Sequence, residues 1–144
     1  MRITSLLNRT QFTPYLAESR TAPSRLGLPV AAASDSLGYH VYLDLRLNLQ
    51  LRAAGDTTHA KRYLRILELY ANLVDLASRE FGGQVLEVQG ERIHVLLDAE
   101  TVDSESFTRL LSFASLADRL VYAHIKGEAG DDLQGLRQAA DHGR

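Results

Sequence analysis

Apolar and polar residues alternate without a fault from Val41 to Gln50. A period of two over ten residues is typical of a β-strand with one buried face. The apolar positions are Val41, Leu43, Leu45, Leu47 and Leu49, and the polar positions are Tyr42, Asp44, Arg46, Asn48 and Gln50. The pattern therefore predicts a strand whose polar face carries hydroxyl, carboxylate, guanidinium and amide groups, which are typical of binding and catalytic sites.

A long amphipathic helix is predicted next, over residues 58–81. Gly55 and Asp56 break the chain before it, and Thr57 or Thr58 can cap its first turn. Apolar residues recur at steps of three and four, which gives one apolar face: Ala60, Leu64, Leu67, Tyr70, Leu73, Val74, Ala77 and Phe81. We expect four of them to pack on the apolar face of the strand: Leu64, Leu67, Val74 and Ala77.

A hairpin follows, with strands predicted over residues 84–89 and 91–97. The turn between them is Gln89-Gly90-Glu91, in which the glycine supplies the backbone freedom that a tight turn needs. A second helix begins after Asp103 or Ser104, either of which can cap it. Its apolar positions are Phe107, Leu110, Leu111, Ala114, Leu116, Ala117, Leu120, Val121 and either His124 or Ile125.

The last part of the chain is predicted as a polar loop over residues 127–134 and a short strand over residues 136–140. The order is then strand, helix, strand, strand, helix, strand. This is the ferredoxin-like βαββαβ arrangement of the α+β class, with both helices on one face of an antiparallel sheet. Residues 1–38 are interpreted as an N-terminal extension and linker, and residues 39–144 as the domain.

Composition narrows the class of protein. The 144 residues include no cysteine, so disulfides and thiolate metal sites are excluded. The lack of disulfides is typical of proteins in a reducing cytoplasm. The formal net charge is −2, and no basic run of the kind that follows a nucleic-acid backbone is present. No apolar stretch is long enough to span a membrane or to form a signal peptide. We expect a soluble cytoplasmic protein that binds neither nucleic acid nor membrane.

Two carboxylates are expected to meet at one end of the sheet. In this topology the third strand lies between the first two, so Glu91 in the hairpin turn can approach Asp44 on the first strand. Two carboxylates at one site repel each other unless a cation neutralises them, and oxygen ligands suit Mg²⁺ or Mn²⁺. The backbone around Leu45, Arg46 and Asn48 would then face the phosphates of a substrate. The simpler interpretation, a solvated aspartate and an ordinary turn residue, stays open.

The remaining candidate residues have simpler predicted roles. The histidines show no metal-ligand spacing along the chain and are interpreted as solvated or packed residues: His40, His59, His94 and His142. Tyr63 and Tyr70 are predicted to belong to the core and its rim.

Three segments in this order resemble class III adenylate and guanylate cyclases: HVYLDLRLNLQL (residues 40–51), FGGQVLEVQGERIHVLLD (residues 81–98) and LRQAADHGR (residues 136–144). The resemblance covers roughly residues 39–144. Within them, LEVQGERIH and AADHGR are most similar to the bacterial pyrimidine cyclases, which make cyclic UMP or cyclic CMP as antiphage signals. The signature turn of the related GGDEF diguanylate cyclases is absent.

This resemblance implies a function. Asp44 and Glu91 would bind Mn²⁺ or Mg²⁺, and a nucleoside triphosphate, UTP or CTP, would become a 3′,5′-cyclic nucleotide with release of pyrophosphate. Two chains would associate head to tail as a homodimer. The alternative from another class is a non-catalytic dimerisation module, a degenerate cyclase domain.

The chain departs from the family pattern at two points. The usual turn is Gly-Asp, and Glu91 reaches one methylene further than aspartate. The later strands that supply base-reading residues and a catalytic Asn/Arg pair have no counterpart here, so we interpret the chain as a piece of a longer enzyme. We therefore expect these residues alone to be inactive or very weak, with Arg46 and Arg144 as the only nearby cations that could substitute.

Overall fold

The chain folds in the predicted order of strands and helices, in a computed structural model that describes residues 37–48 and 57–144. The strands are β1 (Gly38–Leu47), β2 (Gly83–Gln89), β3 (Arg92–Asp98) and β4 (Leu133–Gly143), and the long helices are α1 (Thr57–Glu80) and α2 (Ser104–Leu120). A π-helical turn (Val121–Ile125), a short helix α3 (Lys126–Ala129) and a 3₁₀ turn (Gly130–Asp132) connect α2 to β4. The predictions for residues 1–36 and 49–56 lie outside the described residues.

The four strands form one antiparallel sheet with the order β2-β3-β1-β4. Both long helices cover the same face of this sheet. The alternation in β1 has the predicted effect, because its apolar side chains are buried while Tyr42 and Arg46 are exposed. The buried set of this strand includes Val41, Leu43, Leu45 and Leu47. The predicted ferredoxin-like α+β class is confirmed.

Helix α1 has the predicted extent, but its buried face is rotated from the predicted one. Leu64 is 62% exposed and Leu67 is only half-buried, whereas Val74 and Ala77 lie in the core as expected. The buried stripe consists of Ile66, Leu69, Tyr70, Leu73, Val74 and Ala77. Leu64 precedes Ile66 by two residues, which is about 200° around the helix, so both cannot face the sheet. None of the helices in the described ranges is both long and apolar enough to cross a membrane.

Helix α2 begins at the predicted cap. The Asp103 carboxylate accepts a hydrogen bond from the Ser106 backbone N–H at 2.8 Å, and the Asp103 N–H donates to the Ser106 hydroxyl at 3.1 Å. This reciprocal capping box satisfies two amide groups that the first turn would leave unpaired. Phe107 and Leu111 were predicted on the apolar face but are 49% and 55% exposed, because the buried stripe runs through Ser106, Leu110, Phe113, Ala117 and Leu120.

The segment predicted as a loop over residues 127–134 is largely helical, and β4 is longer than predicted at both ends. Near its start the register slips: Leu47 pairs with Leu133 and Arg46 pairs with Gly135, which leaves Gln134 as the extra residue of a β-bulge. Gly135 has φ +131°, a backbone conformation that other residues rarely adopt. The bulge turns the first residues of β4 toward the end of β1.

Candidate functional site

A polar cavity of about 350 Å³ lies where the end of β1, the β2–β3 turn and the start of β4 meet. These segments share one end of the sheet because β1 runs antiparallel to both β3 and β4. The cavity is lined by Asp44, Leu45, Arg46, Leu47, Glu91, Arg92, Gln134 and Arg137. The structure thus places both sequence-predicted carboxylates on the same cavity.

Asp44 is held by an arginine. Arg92 lies directly opposite it on β3, and the guanidinium group donates from Nε to Oδ1 at 3.0 Å and from Nη2 to Oδ2 at 3.3 Å. This two-point pairing raises the pKa of Arg92, chiefly through the hydrogen bond and then through the charge of Asp44. Asp44 is therefore the partner of a cation already present in the chain.

Glu91 is fixed by the turn and by helix α1. Gly90, with φ +59°, allows the tight turn, and the Glu91 carbonyl accepts a hydrogen bond from the Leu45 N–H at 2.9 Å. The Tyr63 hydroxyl donates to Glu91 Oε1 at 2.8 Å. Tyr63, predicted to be a core or rim residue, thus also orients one of the two candidate ligands.

The pKa of Tyr70 depends on the charges of both carboxylates. Its hydroxyl is buried beneath β1 and donates to the Leu43 carbonyl at 3.1 Å. Burial raises the pKa of Tyr70 strongly, and the negative charges of Asp44 and then Glu91 raise it further. The two carboxylates therefore act electrostatically on one buried hydroxyl, which stays protonated.

The residues predicted to face phosphates have different surroundings. Arg46 is exposed and lines the cavity, and Leu45 lines it too, although the Leu45 N–H is used by the Glu91 carbonyl. The Asn48 N–H donates to the Asp132 carbonyl at 2.7 Å, and Asn48 is not among the residues that line the cavity. In this segment, the group that an anion could contact is the side chain of Arg46 rather than a row of free backbone amides.

Arg92, Gln134 and Arg137 also line the cavity, and sequence reasoning missed all three. Arg137 lies opposite Asp44 on β4, a relation that appears only once the strand register is known. The expectation for Arg144 is wrong: its neighbour Gly143 pairs with Gly38, at the far end of β1 from Asp44. The cations near the site therefore come from β3 and β4 as well as from Arg46.

A histidine pair lies on the outer face of the sheet. His40 Nδ1 and His94 Nε2 share a hydrogen bond of 2.9 Å between β1 and β3, and the Tyr42 ring stacks on His94 with centroids 4.5 Å apart. Burial lowers the pKa of His94, the charge of His40 lowers it further, and Glu87 opposes the shift. The packing role predicted for these residues omitted their mutual contact, because 54 positions separate them in sequence.

The donor set determines which metal site is feasible. Within residues 37–48 and 57–144, no group of three or more histidine, aspartate or glutamate side chains is arranged to hold a metal ion. Two carboxylates on one cavity remain, and Mg²⁺ commonly takes one or two carboxylates and completes its shell with water and substrate phosphates. The metal-ligand role of Asp44 and Glu91 stays a prediction, because in the structure Arg92 pairs with Asp44 and the Tyr63 hydroxyl of α1 donates to Glu91.

Comparison with known proteins relates the fold to one solved enzyme. No protein-family model matches the chain, and no curated protein matches it. Among solved structures, the chain is similar to the guanylyl cyclase Cya2, with a TM-score of 0.53 and 18% sequence identity. The similarity covers 72% of this chain and 51% of the cyclase, so the chain spans about half the length of that enzyme. At this identity the likeness shows a shared cyclase-type fold, and function has to be argued from the site.

Proposed function

We propose that the chain binds a nucleoside triphosphate together with Mn²⁺ or Mg²⁺ at this cavity and, with weak activity, converts it to a 3′,5′-cyclic nucleotide and pyrophosphate. One observation carries the proposal: Asp44 on β1 and Glu91 in the adjoining turn line the same cavity in a fold shared with a guanylyl cyclase. A carboxylate pair at this place is suited to the metal–triphosphate chemistry of a cyclase.

In the proposed reaction the ribose 3′-hydroxyl loses its proton to solvent water, and its oxygen forms a bond to the α-phosphorus as the bond from that phosphorus to pyrophosphate breaks. The bound metal would lower the pKa of the attacking hydroxyl and neutralise phosphate charge. Asp44 and Glu91 would hold the cation, and the Tyr63 hydroxyl, which donates to Glu91 Oε1, keeps Glu91 in position. Arg46 and Arg137 supply positive charge beside the phosphates, where charge stabilisation matters most.

The identity of the base is proposed from the sequence resemblance alone. LEVQGERIH and AADHGR support UTP or CTP as substrate, and with it a cyclic pyrimidine nucleotide as an antiphage signal in the cytoplasm. A homodimer follows from the same resemblance. A binding assay with all four common nucleoside triphosphates therefore tests the choice of base separately from the chemistry.

The test is equilibrium binding of each triphosphate with and without Mn²⁺, followed by analysis for cyclic product and pyrophosphate. We expect Mn²⁺ to strengthen triphosphate binding and to support slow product formation in the wild type, and we expect neither effect in Asp44→Asn. The matched control is Asp141→Asn, which removes an exposed carboxylate opposite His40, toward the other end of the β1–β4 pair. Triphosphate binding that Mn²⁺ does not strengthen, or an equal loss of this strengthening in both variants, would contradict the proposal.

A second candidate, the non-catalytic dimerisation module, is favoured by the Arg92–Asp44 ion pair. An arginine paired with the first candidate ligand neutralises the charge that would attract a metal. In that case the chain would form dimers, and no triphosphate would bind in a Mn²⁺-dependent manner. Because both functions include a dimer, the Mn²⁺ dependence of triphosphate binding is what separates them.

A further inference from the structure

Three arginines surround Asp44 on the face of the sheet opposite the helices. Arg92 on β3 and Arg137 on β4 both lie directly opposite Asp44 on β1. Arg46 follows two residues further along β1, on the same face, and lines the same cavity. Opposed side chains on neighbouring strands start about 5 Å apart, so the three guanidinium groups can reach one small ligand.

The cavity leaves room between these arginines. Gly135 lies opposite Arg46, and with φ +131° it follows the bulge of β4. The neighbouring bulge residue Gln134 lines the cavity, and its side-chain amide is a further hydrogen-bond donor. A bulge commonly redirects a side chain in this manner next to a binding site.

The charges on the cavity are unbalanced. Three arginines and two carboxylates line it, so their formal sum is 3 − 2 = +1. Arg92 is paired with Asp44, and Glu91 accepts the Tyr63 hydroxyl. In the part of the chain that the structure describes, no ion pair or hydrogen bond engages the guanidinium groups of Arg46 and Arg137. Two forked donors are thus available to an anion.

We propose that Arg46, Arg92 and Arg137 bind a polyphosphate chain directly, without a metal ion. A guanidinium group matches two phosphate oxygens at once, and a cluster of three can bind successive phosphates. The cavity is too small for a nucleic-acid duplex, and the net charge of the whole chain is −2, so a small polyphosphate suits it better than a nucleic acid. The placement of a nucleoside triphosphate here rests on the proposed function, whereas binding of the polyphosphate itself does not.

In the same arrangement, binding of the anion determines whether the Asp44 carboxylate is paired with Arg92. When Arg92 turns to a phosphate, it gives up the Asp44 carboxylate, which becomes available to a cation. Polyphosphate binding and metal binding should therefore reinforce each other. Asp44 in turn competes with the anion for Arg92, so its removal should not weaken metal-free polyphosphate binding.

The test is calorimetric titration of the full chain with inorganic tripolyphosphate at low ionic strength in the presence of a chelator. We expect saturable binding, which weakens by about tenfold in Arg137→Gln and less in Arg137→Lys, which keeps the charge but loses the fork. Arg144→Gln, at the other end of β4, should bind as the wild type does. Asp44→Asn should bind equally or more tightly, the opposite of its effect on Mn²⁺-dependent triphosphate binding.

Absence of binding in chelator, or the same loss in Arg144→Gln as in Arg137→Gln, would overturn the inference. So would binding of a short single-stranded oligonucleotide without binding of tripolyphosphate. Circular dichroism of each variant checks that it folds, which is expected because Arg137 is exposed. If tripolyphosphate binds but Mn²⁺ adds nothing, the arginine site stands and the cyclase-type function fails.

Discussion

In the proposed site, the ion pair with Arg92 would limit how far Asp44 can act as a metal ligand. In the structure the two side chains form a forked ion pair at an exposed position, 61% accessible on the arginine side. Exposed pairs of this kind are weak, so a cation carried by a polyphosphate can displace the arginine. We therefore expect Arg92, the first residue of β3, to affect the proposed site as much as Glu91 does.

Removal of this competitor should strengthen metal binding. In Arg92→Gln we expect Mn²⁺ alone to bind the chain up to about fivefold more tightly than in the wild type, because the carboxylate no longer has to release an ion pair. Electron paramagnetic resonance of free Mn²⁺ gives the affinity directly. Arg144→Gln changes the net charge equally and should leave the affinity unchanged; equal gains in both variants would indicate a general charge effect.

The histidine pair predicts a pH dependence of stability. Because the pKa of His94 is lowered in the folded chain, the unfolded chain binds the proton more readily. The free energy of unfolding should therefore be highest above the unfolded pKa of about 6.5 and fall as the pH drops through that value toward the folded pKa.

Urea unfolding between about pH 7 and pH 5 measures this dependence, near the ordinary titration range of histidine. His94→Gln keeps a polar side chain but cannot titrate, so its stability should vary less over that interval. His59→Gln removes a histidine at an exposed position in α1 and should retain the slope of the wild type. An identical slope in all three proteins would show that the pair does not contribute.

Among the elements, α2 depends most visibly on a single residue at its start. The Asp103 carboxylate accepts hydrogen bonds from the Ser106 backbone and the Thr101 hydroxyl, and these bonds, the backbone one first, lower the pKa of Asp103. A lowered pKa means that the cap contributes above its unfolded pKa of about 3.9 and is lost as the pH falls below it.

Asp103→Ala should therefore lower the melting temperature at neutral pH by roughly 2–5 °C, with a smaller difference near pH 3. Glu100→Ala removes an exposed carboxylate just before the capping box and serves as the control. Differential scanning calorimetry at both pH values measures the effect. If the two variants melt alike, the cap has no special role.

The elements also show which parts of the fold the sequence could predict. The alternation in β1 and the cap at Asp103 depend on residues that are close together in the sequence, so both could be predicted from it. Strand β4 was predicted only in part: the segment 136–140 lies within it, but its two ends were missed, because it lies at the sheet edge and its outward positions carry no apolar signal. The same applies to the site: topology alone brought Asp44 and Glu91 to one end of the sheet, but Arg92 and Arg137 required the strand register.

At the scale of the whole molecule, the core joins the sheet to α1 through one stripe of the helix. Leu73 is 1% exposed within this core, whereas Leu64 on the other side of the same helix is 62% exposed. Leu73→Ala should cost about 2–5 kcal/mol in the free energy of unfolding, because it leaves a cavity. Leu64→Ala, the same chemical change, should cost little. Chemical denaturation of both variants checks the helix face, and the reverse ranking would contradict the packing.

The proposed metal–triphosphate site is tested most directly by locating Mn²⁺ on the chain when it is bound together with a triphosphate. Substoichiometric Mn²⁺ added with UTP to the isotope-labelled chain should broaden the amide NMR signals of Asp44, Glu91 and Arg92, since these residues adjoin the cavity. The signals of Asp141 and His142, toward the other end of the β1–β4 pair, should be broadened less, and Asp44→Asn should abolish the effect. Stronger broadening elsewhere, or unchanged broadening in Asp44→Asn, would contradict a metal–triphosphate site at this end of the sheet.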